Sequence, residues 1–92
     1  MTEPAEARLK RLKMRSMRRG IKEMDIILGG FADHGLATLS DADLQLYDRL
    51  LSESDHDLYQ WVTGQSAAPD AYRDLIALIT DFTVKRADLK SF

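Results

Sequence analysis

Leu39-Ser40-Asp41-Ala42-Asp43-Leu44-Gln45-Leu46-Tyr47-Asp48-Arg49-Leu50-Leu51 is the stretch that decides the fold class. Ser40 is an N-cap residue, because its hydroxyl can accept one of the orphan backbone N–H groups of a helix start. Asp43 follows three residues later, in the spacing of a capping box, and Leu39 and Leu44 have the spacing of a hydrophobic staple. Asp41 and Asp43 place negative charge at the positive end of the helix dipole. Behind this start, Leu44, Tyr47, Leu50 and Leu51 recur at helical spacing and form one apolar face. The pattern predicts a helix over residues 41–53 that buries those four side chains.

The same reading extends in both directions. Towards the N-terminus, Leu9, Leu12 and Ser16 predict a first helix over residues 5–17, and Gly20 marks a junction. A second helix carries Ile21, Met24, Ile27, Leu28 and Phe31 on one stripe. Gly29–Gly30 weakens it, and a kink or early end is expected there. Towards the C-terminus, Ser54 or Asp55 caps a short helix containing Leu58, Tyr59, Trp61 and Val62, which Gly64 closes at the position after the cap. Pro69 opens a fifth helix with the stripe Tyr72, Leu75, Ile76, Ile79 and Phe82, running to residue 85 or 86. No stretch alternates as a strand. The expectation is an all-α, compact five-helix bundle, a single domain over residues 1–92 with about 1–4 and 87–92 frayed.

Composition narrows the chemistry. The chain has 92 residues, 45% hydrophobic and 30% charged, within the range of folded globular domains and too apolar for a disordered one. It has no cysteine, which excludes disulfides, thiolate metal sites and thiol catalysis. Its longest uncharged apolar run, residues 26–32, is far below the roughly 20 residues of a membrane-spanning helix, so no membrane insertion is expected. The net charge of −2 hides an asymmetry. Residues 1–22 hold eight basic side chains and two acidic ones, and residues 23–92 hold five basic and thirteen acidic. Glu3 and Glu6 argue against a transit peptide, and no apolar core of a secretory signal follows, so the basic segment reads as part of the fold.

Catalytic and metal-binding patterns are weak. His34 and His56 stand beside aspartates, in Asp33–His34 and Asp55–His56–Asp57, but neighbours on a helix point about 100° apart and do not converge on one atom. Asp41-Ala42-Asp43 begins like a calcium loop and then fails, with Leu46 where glycine is needed and Ser52 where the bidentate glutamate belongs. The run Leu9-Lys10-Arg11-Leu12-Lys13-Met14-Arg15 is a basic amphipathic helix. It supports a second reading, a small regulatory nucleic-acid-binding or antitoxin-like module making phosphate contacts. The acidic remainder of the chain opposes nucleic acid, and no helix offers base-reading residues in a helix-turn-helix register.

The most informative segment is Arg18-Arg19-Gly20-Ile21-Lys22-Glu23-Met24-Asp25. A glycine beside two arginines lets another backbone approach closely. With a helix starting at Gly20, Arg19 and Glu23 stand four residues apart on one face, either as a small polar docking patch or as an ordinary surface pair.

On these residues the chain resembles the SdhE family, the succinate dehydrogenase flavinylation and assembly factors. Arg19-Gly20-Ile21-Lys22-Glu23 matches the family's RGxxE motif, and Arg18, Met24 and Asp25 fit its extended form RRGxxExD. Leu39-Ser40-Asp41 and Arg49-Leu50-Leu51 follow at family spacing. Asp55-His56-Asp57-Leu58-Tyr59-Gln60-Trp61-Val62 is similar to the family's D-x-D-L-[FY]-x-W segment. The resemblance spans roughly residues 15–79.

The resemblance implies a five-helix fold and a role in attaching FAD covalently to a histidine of the flavoprotein subunit of succinate dehydrogenase, with fumarate reductase as a second client. It implies an assembly factor rather than an enzyme, with the bond forming autocatalytically in the client and FAD being the client's cofactor rather than this chain's. Partner-binding roles fall on Arg18, Arg19, Gly20, Glu23 and Asp25, with no catalytic, cofactor-binding or metal residues. Gly20 would admit the client, Arg19 and Glu23 would make charged hydrogen bonds to it, and Arg18 and Asp25 would orient or flank them. Trp61 reads as a core residue. The expected location is a bacterial cytoplasm, or the mitochondrial matrix in a eukaryote.

Overall fold

A computed structural model of the chain describes residues 3–90, and these fold as α-helices joined by short turns. The elements are α1 (Ala5–Arg15), α2 (Lys22–His34), a 3-10 turn (Leu36–Thr38), α3 (Asp41–Leu50), α4 (Asp55–Val62) and α5 (Arg73–Lys90). No strand occurs among the described residues, so the all-α, five-helix bundle is the observed fold.

Capping chemistry sets two helix starts as the sequence reads. Ser40 Oγ accepts the Asp43 N–H at 3.1 Å, and Ser54 Oγ accepts the Asp57 N–H at 3.1 Å. Ser54 is therefore the cap of α4, and Asp55 is its first helical residue. Gly64 closes α4 with φ +78°, the left-handed conformation in which a Cβ is costly. Gln65 N–H reaches Gln60 C=O at 2.9 Å and Gly64 N–H reaches Trp61 C=O at 3.3 Å, the paired bonds of a Schellman motif.

Helix α2 is the centre of the bundle and packs on α1, α4, α5 and the 3-10 turn. It buries Met24, Leu28, Phe31 and Ala32. Around them close Leu12 of α1, Tyr47 and Leu50 of α3, Leu58 of α4, and Leu75, Ile76 and Ile79 of α5. The Phe31 ring lies 5.7 Å from Tyr47 and meets Phe82 edge-on at 5.5 Å, a geometry that aromatic quadrupoles favour. Ser16 is fully buried. Its Oγ donates to Leu12 C=O at 2.7 Å, which leaves it to accept from the Tyr47 hydroxyl at 2.6 Å.

Several boundaries differ from expectation. Helix α2 runs through Gly29–Gly30 unbroken to His34, because Leu28, Phe31 and Ala32 anchor both sides of the pair and tertiary packing overrides helix propensity. A Cβ on Gly30 would meet the Arg86 guanidinium, which would have to swing aside. Helix α2 also begins at Lys22, with Ile21 as N-cap, rather than at Gly20. Helix α5 begins at Arg73 rather than Pro69: Tyr72 N–H bonds Pro69 C=O at 2.9 Å in a separate turn before the helix. At its far end α5 continues to Lys90, past the residue 86 stop expected from its apolar stripe. Helices α1 and α3 are each shorter than expected by two or three residues, ending at Arg15 and Leu50. Expected fraying at residues 1, 2, 91 and 92 lies outside the described residues.

Candidate functional site

Residues 16–21 form the turn between α1 and α2, and two carboxylates hold it in shape. The first belongs to Asp25, in the opening turn of α2, whose Oδ1 accepts the Arg18 backbone N–H at 2.6 Å. Arg18 itself has φ 56°, the left-handed region, unusual for a residue with a side chain. That left-handed residue lies midway in the turn that carries the chain from α1 into α2.

The second carboxylate belongs to Asp55, at the start of α4. Its Oδ1 accepts the Arg19 Nε–H at 2.7 Å, and its Oδ2 accepts the Gly20 backbone N–H. Arg19 extends further: Nη1 donates to Arg15 C=O and Leu51 C=O at 3.1 Å, and Nη2 to Glu53 C=O at 3.4 Å. The guanidinium thus ties the end of α1 to the turn between α3 and α4. Both partners are largely buried, the Arg19 side chain 12% exposed and the Asp55 side chain 17%.

These placements separate the sequence-derived site residues into two groups. Arg18, Gly20 and Glu23 are exposed. The Arg18 guanidinium and the Glu23 carboxylate make no hydrogen bond or ion pair among the described residues. Arg19 is largely buried and Asp25 half-buried, and each is bonded into the turn. Arg19 and Glu23 do not pair as expected from an i, i+4 helix face, because Arg19 lies before the helix and Asp55 has captured it. In the sequence Asp55 reads as a possible cap, as a neighbour of His56 and as the head of a family-like segment, but is not paired with Arg19. The available signal was its place at the head of Asp55-His56-Asp57-Leu58-Tyr59-Gln60-Trp61, so the two motifs are joined in space by this one carboxylate.

Beside the turn, Met17 and Ile26 are 49% and 66% exposed. They line an open groove of about 420 Å³ with Asp25, Gly30, Phe82 and Arg86. In sequence Met17 precedes Arg18, and Ile26 lies three residues after Glu23 on α2. Trp61 is half-buried against the core with its ring 5.9 Å from Tyr72, while Tyr59 is half-buried and Asp57 exposed.

The basic first helix is docked against the acidic body. Arg8 pairs with Asp41, Arg11 with Glu3 and Asp48, Arg15 with Asp48, and Lys13 with Asp33 at 2.9 Å. Arg11 grips Asp48 with two bonds, at 2.9 and 3.1 Å. The Arg11 hydrogen bonds hold the Asp48 carboxyl below its usual range, with Arg15 adding to the effect. Arg11 does the same to Glu3, and Lys13 to Asp33. Arg8, Arg11, Lys13 and Arg15 are thus engaged with the chain's own carboxylates, which counts against the nucleic-acid reading, while Lys10 stays exposed.

The remaining chemistry is sparse. His34 is exposed and stacks on Phe82 at 6.2 Å, and exposed His56 lies 3.3 Å from the Gln60 amide. Among the described residues, no group of three or more His, Asp or Glu side chains is arranged to hold a metal ion, and no helix is long and apolar enough to cross a membrane.

Residues 10–83 match the family model described as "Flavinator of succinate dehydrogenase". Three similar proteins carry the name succinate dehydrogenase assembly factor 2, mitochondrial. The one from Meyerozyma guilliermondii is 41% identical over 75 residues, covering 78% of this chain and 56% of the relative. The one from Danio rerio is 36% identical over 87 residues, covering 91% of this chain and 55% of the relative. The one from Saccharomyces cerevisiae is 43% identical over 73 residues, covering 76% of this chain and 45% of the relative. The chain spans about half the length of the curated relatives it matches. The matched span takes in both the Arg18–Asp25 turn and the start of α4 that holds it, and on this basis the chain belongs to the family of succinate dehydrogenase flavinators.

Proposed function

We propose that this chain is an assembly factor that promotes covalent attachment of FAD to the flavoprotein subunit of succinate dehydrogenase, gripping the immature subunit through the α1–α2 turn. Family membership supports the process. The observation that carries the location is the turn itself: Arg18, Gly20 and Glu23 stand exposed on a backbone that two carboxylates fix from behind. A rigid backbone presenting a free carboxylate and a free guanidinium can make charged hydrogen bonds to a partner without a large ordering cost. Met17 and Ile26 supply neighbouring apolar contact area.

On this reading the covalent link would form within the client, which would supply both the histidine and the FAD. The helper contributes alignment. Holding client segments so that reacting atoms meet in productive geometry lowers a barrier by several kcal/mol without any catalytic group on the helper. The flavoprotein subunit of fumarate reductase is a second client of the same kind. The chain works where the immature subunit is found, in a bacterial cytoplasm or in the mitochondrial matrix.

The test is co-purification. The tagged chain retains the flavoprotein subunit, identified by mass, while a Glu23→Ala variant of unchanged fold retains at least tenfold less. Equal recovery by the two proteins contradicts the proposed surface.

A further inference from the structure

We propose that Asp55 is a positioning residue for the Arg19–Gly20 segment, and that Gly20 has no side chain because the Asp55 carboxylate occupies the place where one would stand. What this segment faces rests on the function proposed above; its geometry does not.

Glycine is usually needed where φ is positive, and among the described residues only Gly64 is such a glycine. The backbone at Gly20 admits any L residue. Solvent does not forbid a side chain either, since Gly20 is exposed. The obstacle is local. A Cβ built on Gly20 stands 2.9 Å from Asp55 Oδ2, closer than real Cβ contacts come.

The carboxylate has little freedom to withdraw. Oδ1 is bonded to Arg19 Nε–H at 2.7 Å, and Oδ2 takes the Gly20 N–H. Its backbone is the first residue of α4, fixed by the Ser54 cap. Arg19 is in turn anchored on the carbonyls of Arg15, Leu51 and Glu53. A methyl group at position 20 therefore has to break or stretch one of the two bonds that Asp55 makes. Losing them leaves the Gly20 N–H without its acceptor and the turn held by the Asp25–Arg18 bond and the Arg19 bonds to carbonyls. The glycine thus serves the chain's own carboxylate, and the partner meets the exposed side chains that this clamp keeps in place.

A double-mutant cycle tests the steric claim in the full chain. Gly20→Ala lowers the thermal unfolding midpoint by about 4–8 °C when Asp55 is present, and by little or nothing in an Asp55→Ala background. Asp55→Ser replaces Asp55→Ala should the latter not fold, because it also withdraws from Gly20. An equal drop in both backgrounds overturns the proposal.

A second measurement separates positioning from mere stability. At a temperature where the Asp55→Asn variant is fully folded by circular dichroism, its affinity for the flavoprotein subunit of succinate dehydrogenase falls at least tenfold, and Glu23 in place does not compensate. Unchanged affinity overturns the positioning role. If the unmutated chain does not bind the subunit at all, the proposed function fails, and the unfolding cycle still decides the clamp.

Discussion

The Arg19 guanidinium donates to the Asp55 carboxylate at 2.7 Å across 36 residues of chain, and the same guanidinium reaches three backbone carbonyls, those of Arg15, Leu51 and Glu53. One planar fork therefore connects the end of α1, the α3–α4 turn and the start of α4. Geometry of this kind is specific to arginine, because lysine has a single point of attachment. Arg19→Lys and Arg19→Ala should each leave buried acceptors without donors. Arg19→Ala is expected to cost about 2–3 kcal/mol in urea denaturation, and Arg19→Lys a substantial part of it. A loss below about 0.5 kcal/mol for Arg19→Ala would show that the fork is ornamental.

Acid stability should depend on Asp48. Its carboxyl titrates below the ordinary value of 3.8 because Arg11 and Arg15 bond to its charged form. A depressed carboxyl contributes stability that is complete above the unfolded-state value and disappears as pH falls through the lower folded-state value. Urea midpoints of the unmutated chain should hold steady from pH 7 to about 5 and drop below that. Asp48→Asn should be less stable at pH 7 and show a shallower acid drop, with Glu3 and Asp33 supplying what remains.

The alkaline limit has a different source. Burial pushes the Tyr47 hydroxyl up to about 12, with the Ser16 bond opposing the shift. The folded state keeps its proton in a range where an unfolded tyrosine, near 10, loses it, so stability falls as pH rises between these values. Tyr47→Phe should flatten that fall, and at pH 7 should cost about 1 kcal/mol for the lost bond to Ser16. Spectrophotometric titration of tyrosinate absorbance checks the first point, and urea denaturation the second.

Two glycines should respond to alanine with opposite signs. Gly29 lies inside α2, and a Cβ there meets only Met17 Cγ at 4.0 Å, so Gly29→Ala should stabilise by about 0.5–1 kcal/mol. Gly64 has φ +78° with open space around it, so Gly64→Ala should destabilise by about 1 kcal/mol through backbone strain alone. Thermal unfolding of the two variants, side by side, checks the signs.

Local signals made most of the fold readable. Ser40 followed by two aspartates announces its helix, and the bonded cap is what the structure contains. The stripes of Met24, Leu28 and Phe31, and of Leu75, Ile76 and Ile79, name core residues because burial follows helical period. Gly29–Gly30 misled because propensity is local, whereas the packing that carries α2 through the pair comes from other helices. Pro69 misled in the same way: it suits a first helical turn, but that turn stays separate from α5. The candidate site was half legible. Arg18–Asp25 stands out as a motif, yet pairings such as Arg19–Asp55 and Arg11–Asp48 join residues more than 30 positions apart, and nothing in local spacing declares them. Without them, Arg19 looks free for a partner and the basic helix looks free for phosphate.

Glu23 offers the most direct test, because it is exposed, unbonded among the described residues, and removable without disturbing the clamp behind it. In cells lacking the endogenous factor, covalent flavin on the denatured flavoprotein subunit is read by in-gel fluorescence. The unmutated chain should restore the signal, and Glu23→Ala, expressed at the same level, should restore at most a tenth of it. Full fluorescence with Glu23→Ala, or none with the unmutated chain, would contradict the account.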